Sequence, residues 1–455
     1  MESATLGART RRQFLRDSAR AAAASALASV TVPSVHAAEA NTLQLALVGC
    51  GGRGTGAVVD AFASAGTPVK LVAMADIFAN RLEGSYQQLT KNHAEKVDVP
   101  PDRRFLGFDA YRKAMECLRP GDVVILATPP AFRWVHFGYA IARRLNVFME
   151  KPVSVDGPTS RKMLALGEQA AAAGLKVGVG LMCRHSDARN ALFDRIQAGE
   201  AGELILLRAY RMHDAVGYFS SDPPPPGTNE LLYQVQRFHS FLWSGGGAFS
   251  DFYIHHIDEC CWMKNAWPVQ AHAVGGRHYR GNSVDQNFDT YSVEYTFADG
   301  ARLFLEGRCM PGCYNQFASY AHGTRGLVVI SEGGHAPAPC CIYKGQAKGE
   351  EVLWAYGQRE TNPYRREWEH LLTAIRDNTP YNEVKRAAEA SLVTVMGRLA
   401  AHTGQVVTFE QALNHEHELA PNVDQLTPDS PAPLQAGPDG RYPVPQPGKN
   451  RLREY

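Results

Sequence analysis

The chain carries almost no net charge. Among its 455 residues, 47 Lys and Arg oppose 46 Asp and Glu, leaving +1. That balance removes the electrostatic case for a nucleic-acid or anionic-lipid partner. Beyond residue 40 no stretch has the uninterrupted apolar length of a membrane helix, so no stable membrane insertion is expected. No internal repeat is visible, which sets aside a repeat architecture. The nine cysteines form no CxxC pair, which sets aside the paired-cysteine metal and redox motifs.

The N-terminus reads as a targeting segment. Thr10-Arg11-Arg12-Gln13-Phe14-Leu15 is a twin-arginine pattern, followed by an Ala-rich, weakly apolar stretch from Ala21 to Val32. Small residues then offer cleavage sites at Val35-His36-Ala37 or Ala38-Glu39-Ala40. Such signals direct folded bacterial proteins to the twin-arginine translocation machinery, so the expected location is the periplasm. A chain that folds before export does so in a reducing compartment, which favours inert thiols. Two other uses stay open: Cys309 with Cys313, and Cys340 and Cys341 with His335, as bridges or metal ligands.

What is present is richer. Leu43 to Val48 reads as a buried strand, and Gly49-Cys50-Gly51-Gly52-Arg53-Gly54 follows it directly. A helical pattern runs from Thr55 to Ala65, and Asp76 closes the next apolar run, Val69 to Ala75. Strand, glycine turn, helix, strand and terminal acid in that order form a dinucleotide-binding fingerprint. Gly49 permits the tight turn, Gly51 lets backbone amides approach a pyrophosphate, and Gly54 lets the helix pack on the strand. Asp76 would accept from ribose hydroxyls and repel a 2′-phosphate, which favours NAD over NADP.

Short apolar runs at 43–48, 69–75, 122–127 and 146–149 alternate with amphipathic stretches near 79–92, 109–118 and 131–144. This predicts a doubly wound parallel sheet. Pro129 and Pro130 stop one strand at its carboxyl end, where ligands of such sheets bind, so Thr128 and Pro129 should lie beside the cofactor. A helix at 157–174 and a strand at 176–181 follow. Alternating runs then appear at 204–210, 269–277, 290–297, 301–308 and 326–331, with Ala298-Asp299-Gly300 as a hairpin turn. The fold class is therefore α/β: a Rossmann domain over 41–155 after the signal and linker of 1–40, then an α/β domain over 156–419 with a large, mostly antiparallel open sheet. Helices are expected at 363–377, packing back on the first domain, and at 384–403. The Pro- and Gly-rich tail, 420–455, should be extended, wrapping a neighbour or exposed to solvent.

Two motifs bear chemistry. Met149-Glu150-Lys151-Pro152 puts a lysine at the carboxyl edge of the first sheet, where it could support negative charge on a substrate oxygen. Gly245-Gly246-Gly247 precedes Asp251-Phe252-Tyr253-Ile254-His255-His256-Ile257-Asp258. On a helix, Asp251, His255 and Asp258 share one face. That face suits a proton-accepting imidazole with an orienting carboxylate, a structural helix, or a divalent metal held by Asp251, His255 and Asp258. The glycine run would let backbone come close to a ligand.

The chain resembles the Gfo/Idh/MocA family. The resemblance rests on Gly49–Gly54, Ala127-Thr128-Pro129-Pro130, Glu150-Lys151-Pro152, Asp251-Phe-Tyr-Ile-His255, Gly323-Thr324-Arg325-Gly326 and Met396-Gly397-Arg398. It implies catalytic roles for Lys151, His255 and Asp251: electrostatic partner, acid or base, and orienting carboxylate. The implied cofactor contacts are Gly49, Gly51, Gly52, Arg53, Gly54, Asp76, Thr128, Pro129, His136, Glu150 and Lys151, with no metal. Arg184, His185, Tyr253 and His256 would lie on the substrate side. The expected activity is NAD-dependent oxidation of a sugar, polyol or sugar derivative, with a tightly bound cofactor recycled within each cycle. A NAD-recycling glycoside hydrolase or lyase acting through a keto-sugar, and a non-catalytic NAD-containing carbohydrate-binding protein, are the alternatives. Assembly as a homo-oligomer is what the family implies.

Overall fold

The apolar runs of the first half pair side by side. A strand covered on both faces needs near-continuous apolar sequence, and Leu45, Ala46 and Leu47 are fully buried. The computed structural model describes residues 42–64, 66–278 and 280–455. The twin-arginine segment therefore lies outside the described residues. The first sheet comprises β1 (Leu43–Val48), β2 (Val69–Asp76), β3 (Arg104–Leu106), β4 (Val123–Leu126), β5 (Asn146–Met149) and β6 (Val177–Val179). Their order is β3-β2-β1-β4-β5-β6 and every pairing is parallel. Strand order reverses between β1 and β4, which opens a crevice at their carboxyl ends. The sheet runs past residue 155, since β6 is its last strand. The helix Pro363–Arg376 covers part of one face, with Trp368 stacked on Phe148 at 4.5 Å between ring centroids.

The second sheet has nine strands: β7 (Leu204–His213), β8 (Gln270–Gly276), β9 (Thr290–Thr296), β10 (Arg302–Cys309), β11 (Gln316–Gly323), β12 (Gly326–Glu332), β13 (Cys341–Lys344), β14 (Val352–Ala355) and β15 (Val407–Thr408). It is antiparallel except where β7 and β10 run together. Alternate residues of β9 and β10 are buried, as one covered face requires. The helices Gly247–Lys264 and Val384–Thr403 cover that face, packing Phe249, Tyr253, Ile257, Val393 and Met396 against Leu207, Val293, Tyr295 and Leu305.

The tail docks on its own chain. Leu434 and Tyr442 are buried beside Phe132 and Trp243, and Glu454 reaches the interior. Arg398, fully buried, donates from Nε to Glu454 Oε1 at 2.7 Å and from Nη2 to Oε2 at 3.0 Å. Its other bonds go to the carbonyls of Gly246 and Val155 and to Ser250 Oγ. One guanidinium thus joins the tail, the start of the helix Gly247–Lys264 and the segment after β5. The glycines at 245–247 serve this packing rather than a ligand: a side chain on Gly245 would strike the Phe238 carbonyl, and one on Gly247 would meet Asn287 Oδ1 at 2.8 Å.

Candidate active site

The crevice at the carboxyl ends of β1 and β4 holds a cavity of about 580 Å³, within the range of ligand pockets. All eleven residues expected to touch a dinucleotide line it: Gly49, Gly51, Gly52, Arg53, Gly54, Asp76, Thr128, Pro129, His136, Glu150 and Lys151. Gly49 has φ +98°, and a Cβ there would lie 2.6 Å from the Ala127 carbonyl carbon. A methyl on Gly54 would be driven into the Gly49 carbonyl. These two glycines are required by the protein itself. Gly51 and Gly52 differ, since a Cβ on either meets no protein atom within 4 Å. They face open space at the start of the helix Gly52–Ala63, which has no side-chain cap and no acidic residue in its first turn. Unpaired N–H groups and a positive dipole end suit an anionic pyrophosphate there.

Asp76 accepts from the Cys50 N–H at 2.7 Å and the Phe78 N–H at 2.9 Å, one bond to each oxygen. Each oxygen keeps a lone pair for a ribose hydroxyl. Arg53 is clamped by Glu150, donating from Nε and Nη2 to Oε1 at 3.0 and 2.7 Å. His136 lies 3.2 Å from Thr128 Oγ1 through Nδ1, and burial with the nearby Arg133 charge pulls its pKa down to about 3. It is therefore a neutral ring. The set of donors, open glycines and ribose-facing acid fits a dinucleotide.

Lys151 and Asp251 meet at the mouth of this cavity, each side chain 13% exposed. Lys151 Nζ donates to the Asp251 carbonyl oxygen at 2.7 Å and to Oδ1 at 3.2 Å. The other carboxylate oxygen, Oδ2, lies 3.1 Å from His239 Nε2. The Tyr218 N–H donates to His239 Nδ1 at 3.2 Å, which makes Nε2 the protonated nitrogen. Burial opposes ionisation of Asp251, but the Lys151 charge and the His239 bond outweigh it and hold the carboxyl well below its usual range. The result is a charge pair fixed at the cavity's edge. His255 lies one helical turn beyond Asp251 and does not line the cavity. It is 7% exposed, its Nδ1 has no hydrogen-bond partner, and burial, His335 and Lys151 all favour the neutral ring.

No protein-family model matches the chain. Curated relatives do. It is 26% identical over 216 residues to the rhizopine catabolism protein MocA of Rhizobium meliloti, covering 46% of this chain and 61% of that protein. It is 30% identical over 148 residues to the inositol 2-dehydrogenase of Leifsonia xyli subsp. xyli, covering 32% of this chain and 40% of the relative. The matches thus span less than two thirds of either relative's length. Solved structures match more widely. The aldose-aldose oxidoreductase of Caulobacter crescentus complexed with glycerol superposes with a TM-score of 0.60 at 16% identity, over 81% of this chain and 99% of that one. The scyllo-inositol dehydrogenase of Lactobacillus casei with bound NAD(H) and scyllo-inositol gives 0.57 at 19% identity, with the same coverage. The chain has the Gfo/Idh/MocA fold.

Within the Gfo/Idh/MocA fold, the four residues expected on the substrate side are absorbed into packing, and none lines the cavity. Arg184 makes a two-pronged pair with Asp258 at 2.9 and 2.8 Å, which also takes Asp258 out of the sequence-based metal set. His185 sits 2.8 Å from His370 and 3.3 Å from Glu383. Tyr253 lies fully buried beneath Gly307, where any Cβ would press on its ring. His256 is fully buried beside Phe317. Sequence reasoning missed His239, Tyr218 and Phe238, all of which line the cavity. They come from the irregular segment before the glycine run, where no periodicity marks them.

Proposed function

We propose that the chain is an NAD-dependent oxidoreductase acting on a CH–OH group of a sugar or polyol. The observation that carries this is the Lys151–Asp251 pair at the mouth of the glycine-turn cavity. Bound NAD supplies the hydride acceptor. Two of the three ammonium hydrogens of Lys151 are spent on Asp251, so the third can donate to the substrate oxygen and support the charge that builds there. Asp251, ionised and held by His239, keeps that ammonium in place. His255, neutral by burial, lies one helical turn beyond Asp251 and outside the cavity lining. Its part as acceptor of the hydroxyl proton rests on the resemblance and requires the substrate to reach past the Lys151–Asp251 pair. The named relatives lend support, since several are inositol 2-dehydrogenases and one neighbour holds NAD(H) with scyllo-inositol.

The reading includes export through the twin-arginine pathway, a cofactor carried inside the folded protein and restored within each cycle, and self-assembly. Protein purified from the periplasmic fraction and then denatured should release NAD(H), seen by mass spectrometry. A sugar, polyol and glycoside panel read by product mass then fixes the reaction. Loss of two hydrogens is the expected outcome. Gain of water with phenol release from aryl glycosides would show redox-neutral hydrolysis instead. A folded protein that neither contains nor binds NAD overturns the proposal.

A further inference from the structure

Behind the Lys151–Asp251 pair lies a cluster that the proposed reaction does not use in full. Cys183 comes from the turn after β6, His255 from the helix Gly247–Lys264, and His335 from the loop after β12. Each offers one ligand atom, and the three atoms lie within 4.8 Å of one another. Cys183 Sγ is 3.8 Å from His335 Nδ1, and the His255 and His335 ring centroids are 4.4 Å apart. A tetrahedral zinc ion with bonds of about 2.3 Å to sulfur and about 2.0 Å to nitrogen sets its S and N ligands roughly 3.5 Å apart. The Cys183–His335 spacing is already close to that.

A second observation points the same way. Nδ1 of His255 is buried and makes no hydrogen bond. Native interiors rarely leave such an atom without a partner. Its neighbours are prepared for fixed positions: Arg189 Nη1 donates to the His335 carbonyl at 2.8 Å while its Nε is held by Glu259 Oε2 at 2.8 Å. The surrounding charges are largely cancelled in pairs, Lys151 with Asp251, Arg189 with Glu259 and Arg184 with Asp258. Arg211, stacked 4.5 Å from the Phe317 ring centroid, is a nearby cation with no ion pair among the described residues. That residual positive charge disfavours a hard ion held by neutral ligands. A donor set containing a thiol answers it, because binding expels the Cys183 proton and leaves a thiolate.

We propose that Cys183, His255 and His335 form a three-ligand site for a thiophilic divalent cation of the zinc class, with a fourth position open. This departs from the sequence-based expectation of no metal. The binding stands apart from the dehydrogenase reading, but its consequence rests on that reading. A neutral imidazole has one in-plane lone pair. Once one ring nitrogen of His255 gives that pair to the ion, the other keeps the proton and the ring cannot accept another from an alcohol. Ion binding and turnover therefore exclude each other.

Chelator-stripped full-length protein titrated with Co²⁺ tests the site. The expected result is one equivalent bound with tetrahedral d–d bands and a thiolate-to-cobalt charge-transfer absorption, displaced by Zn²⁺. Cys183→Ser should abolish the charge-transfer band, and His335→Ala should weaken binding by at least the ~10–100-fold that an outer-shell partner is worth. No band, or a band that persists in Cys183→Ser, overturns the site. Because both variants cut into the core, the unaltered protein gives a second reading: zinc X-ray absorption should show one sulfur and two imidazoles, and a shell without sulfur overturns the proposal. In activity assays one equivalent of Zn²⁺ should stop product formation, reversibly with chelator, and His335→Ala should lose that sensitivity. Cobalt bound through Cys183 in a protein with no dehydrogenase activity upholds the site while refuting the proposed function, so the two fail separately.

Discussion

Lys151 reaches across from the end of β5 to the first turn-and-a-half of the helix Gly247–Lys264, where it holds Asp251 twice, through the main chain and through the carboxylate. The bond to the carbonyl fixes the lysine even if the carboxylate turns away. Position and charge are thereby set by different atoms of one partner.

Lys151→Met should therefore lower kcat by about 10²–10³, the loss that follows removal of one donor to a developing oxyanion. NAD should stay bound, because the pyrophosphate cradle is built from Gly51, Gly52 and the helix start. Steady-state kinetics beside a NAD titration check this; equal loss of both would show that the lysine serves the cofactor alone.

The glycine turn separates fold from ligand. Gly54→Ala forces a methyl into the Gly49 carbonyl and should cost about 1–3 kcal/mol of stability, as overpacking does. Gly51→Val meets no protein atom near its Cβ, so its melting temperature should match the parent's while NAD affinity falls at least about tenfold, equivalent to ~1.4 kcal/mol. Thermal melts and cofactor titrations on the two variants distinguish them.

Much of the architecture was readable in the chain because many of its strands are either near-continuously apolar or alternate in burial. β1, β9 and β10 are of this kind. β3 escaped because three residues cannot display a period. β11 escaped because its sequence, Gln-Phe-Ala-Ser-Tyr-Ala-His-Gly, mixes small and polar residues on both faces. The glycine wall of the cavity was legible because its glycines all fall within the short run Gly49 to Gly54. The other wall was not, since Tyr218 and His239 gain meaning only when the chain folds back on Asp251. Arg184 and His256 lie outside the cavity lining for the opposite reason: their chemistry suggested a ligand, while the fold sets Arg184 against Asp258 and His256 beside Phe317.

Glu454 should be worth far more than a surface acid. Its side chain and that of Arg398 are 3% and 0% exposed, so Glu454→Ala strands a buried guanidinium and should destabilise the protein by about 3–5 kcal/mol. Urea unfolding of the variant checks the magnitude. A change under 1 kcal/mol would mean that water reaches Arg398 and takes the carboxylate's place.

The same residue predicts an acid response. Burial raises the Glu454 pKa, but Arg398 first and His402 next overcome it and hold the carboxyl well below its usual range. His402 donates from Nδ1 at 2.7 Å while its Nε2 accepts from Tyr291 at 2.9 Å. A carboxyl whose folded pKa lies below its unfolded value of about 4.3 contributes fully above that pH. Its contribution shrinks as pH falls further, toward the folded pKa. Stability measured from pH 6 to pH 3 should fall less steeply in Glu454→Gln than in the parent; parallel curves would remove Glu454 from the acid response.

The Arg398–Glu454 contact also ties distant parts of the chain together. Arg398 belongs to the centre of the second half, yet its counter-charge is translated more than fifty residues later. Without the Glu454 carboxylate that guanidinium is left unpaired in a dry interior, which weakens the seat of the central helix. Changes around position 454 thereby act on the middle of the molecule rather than on its fringe.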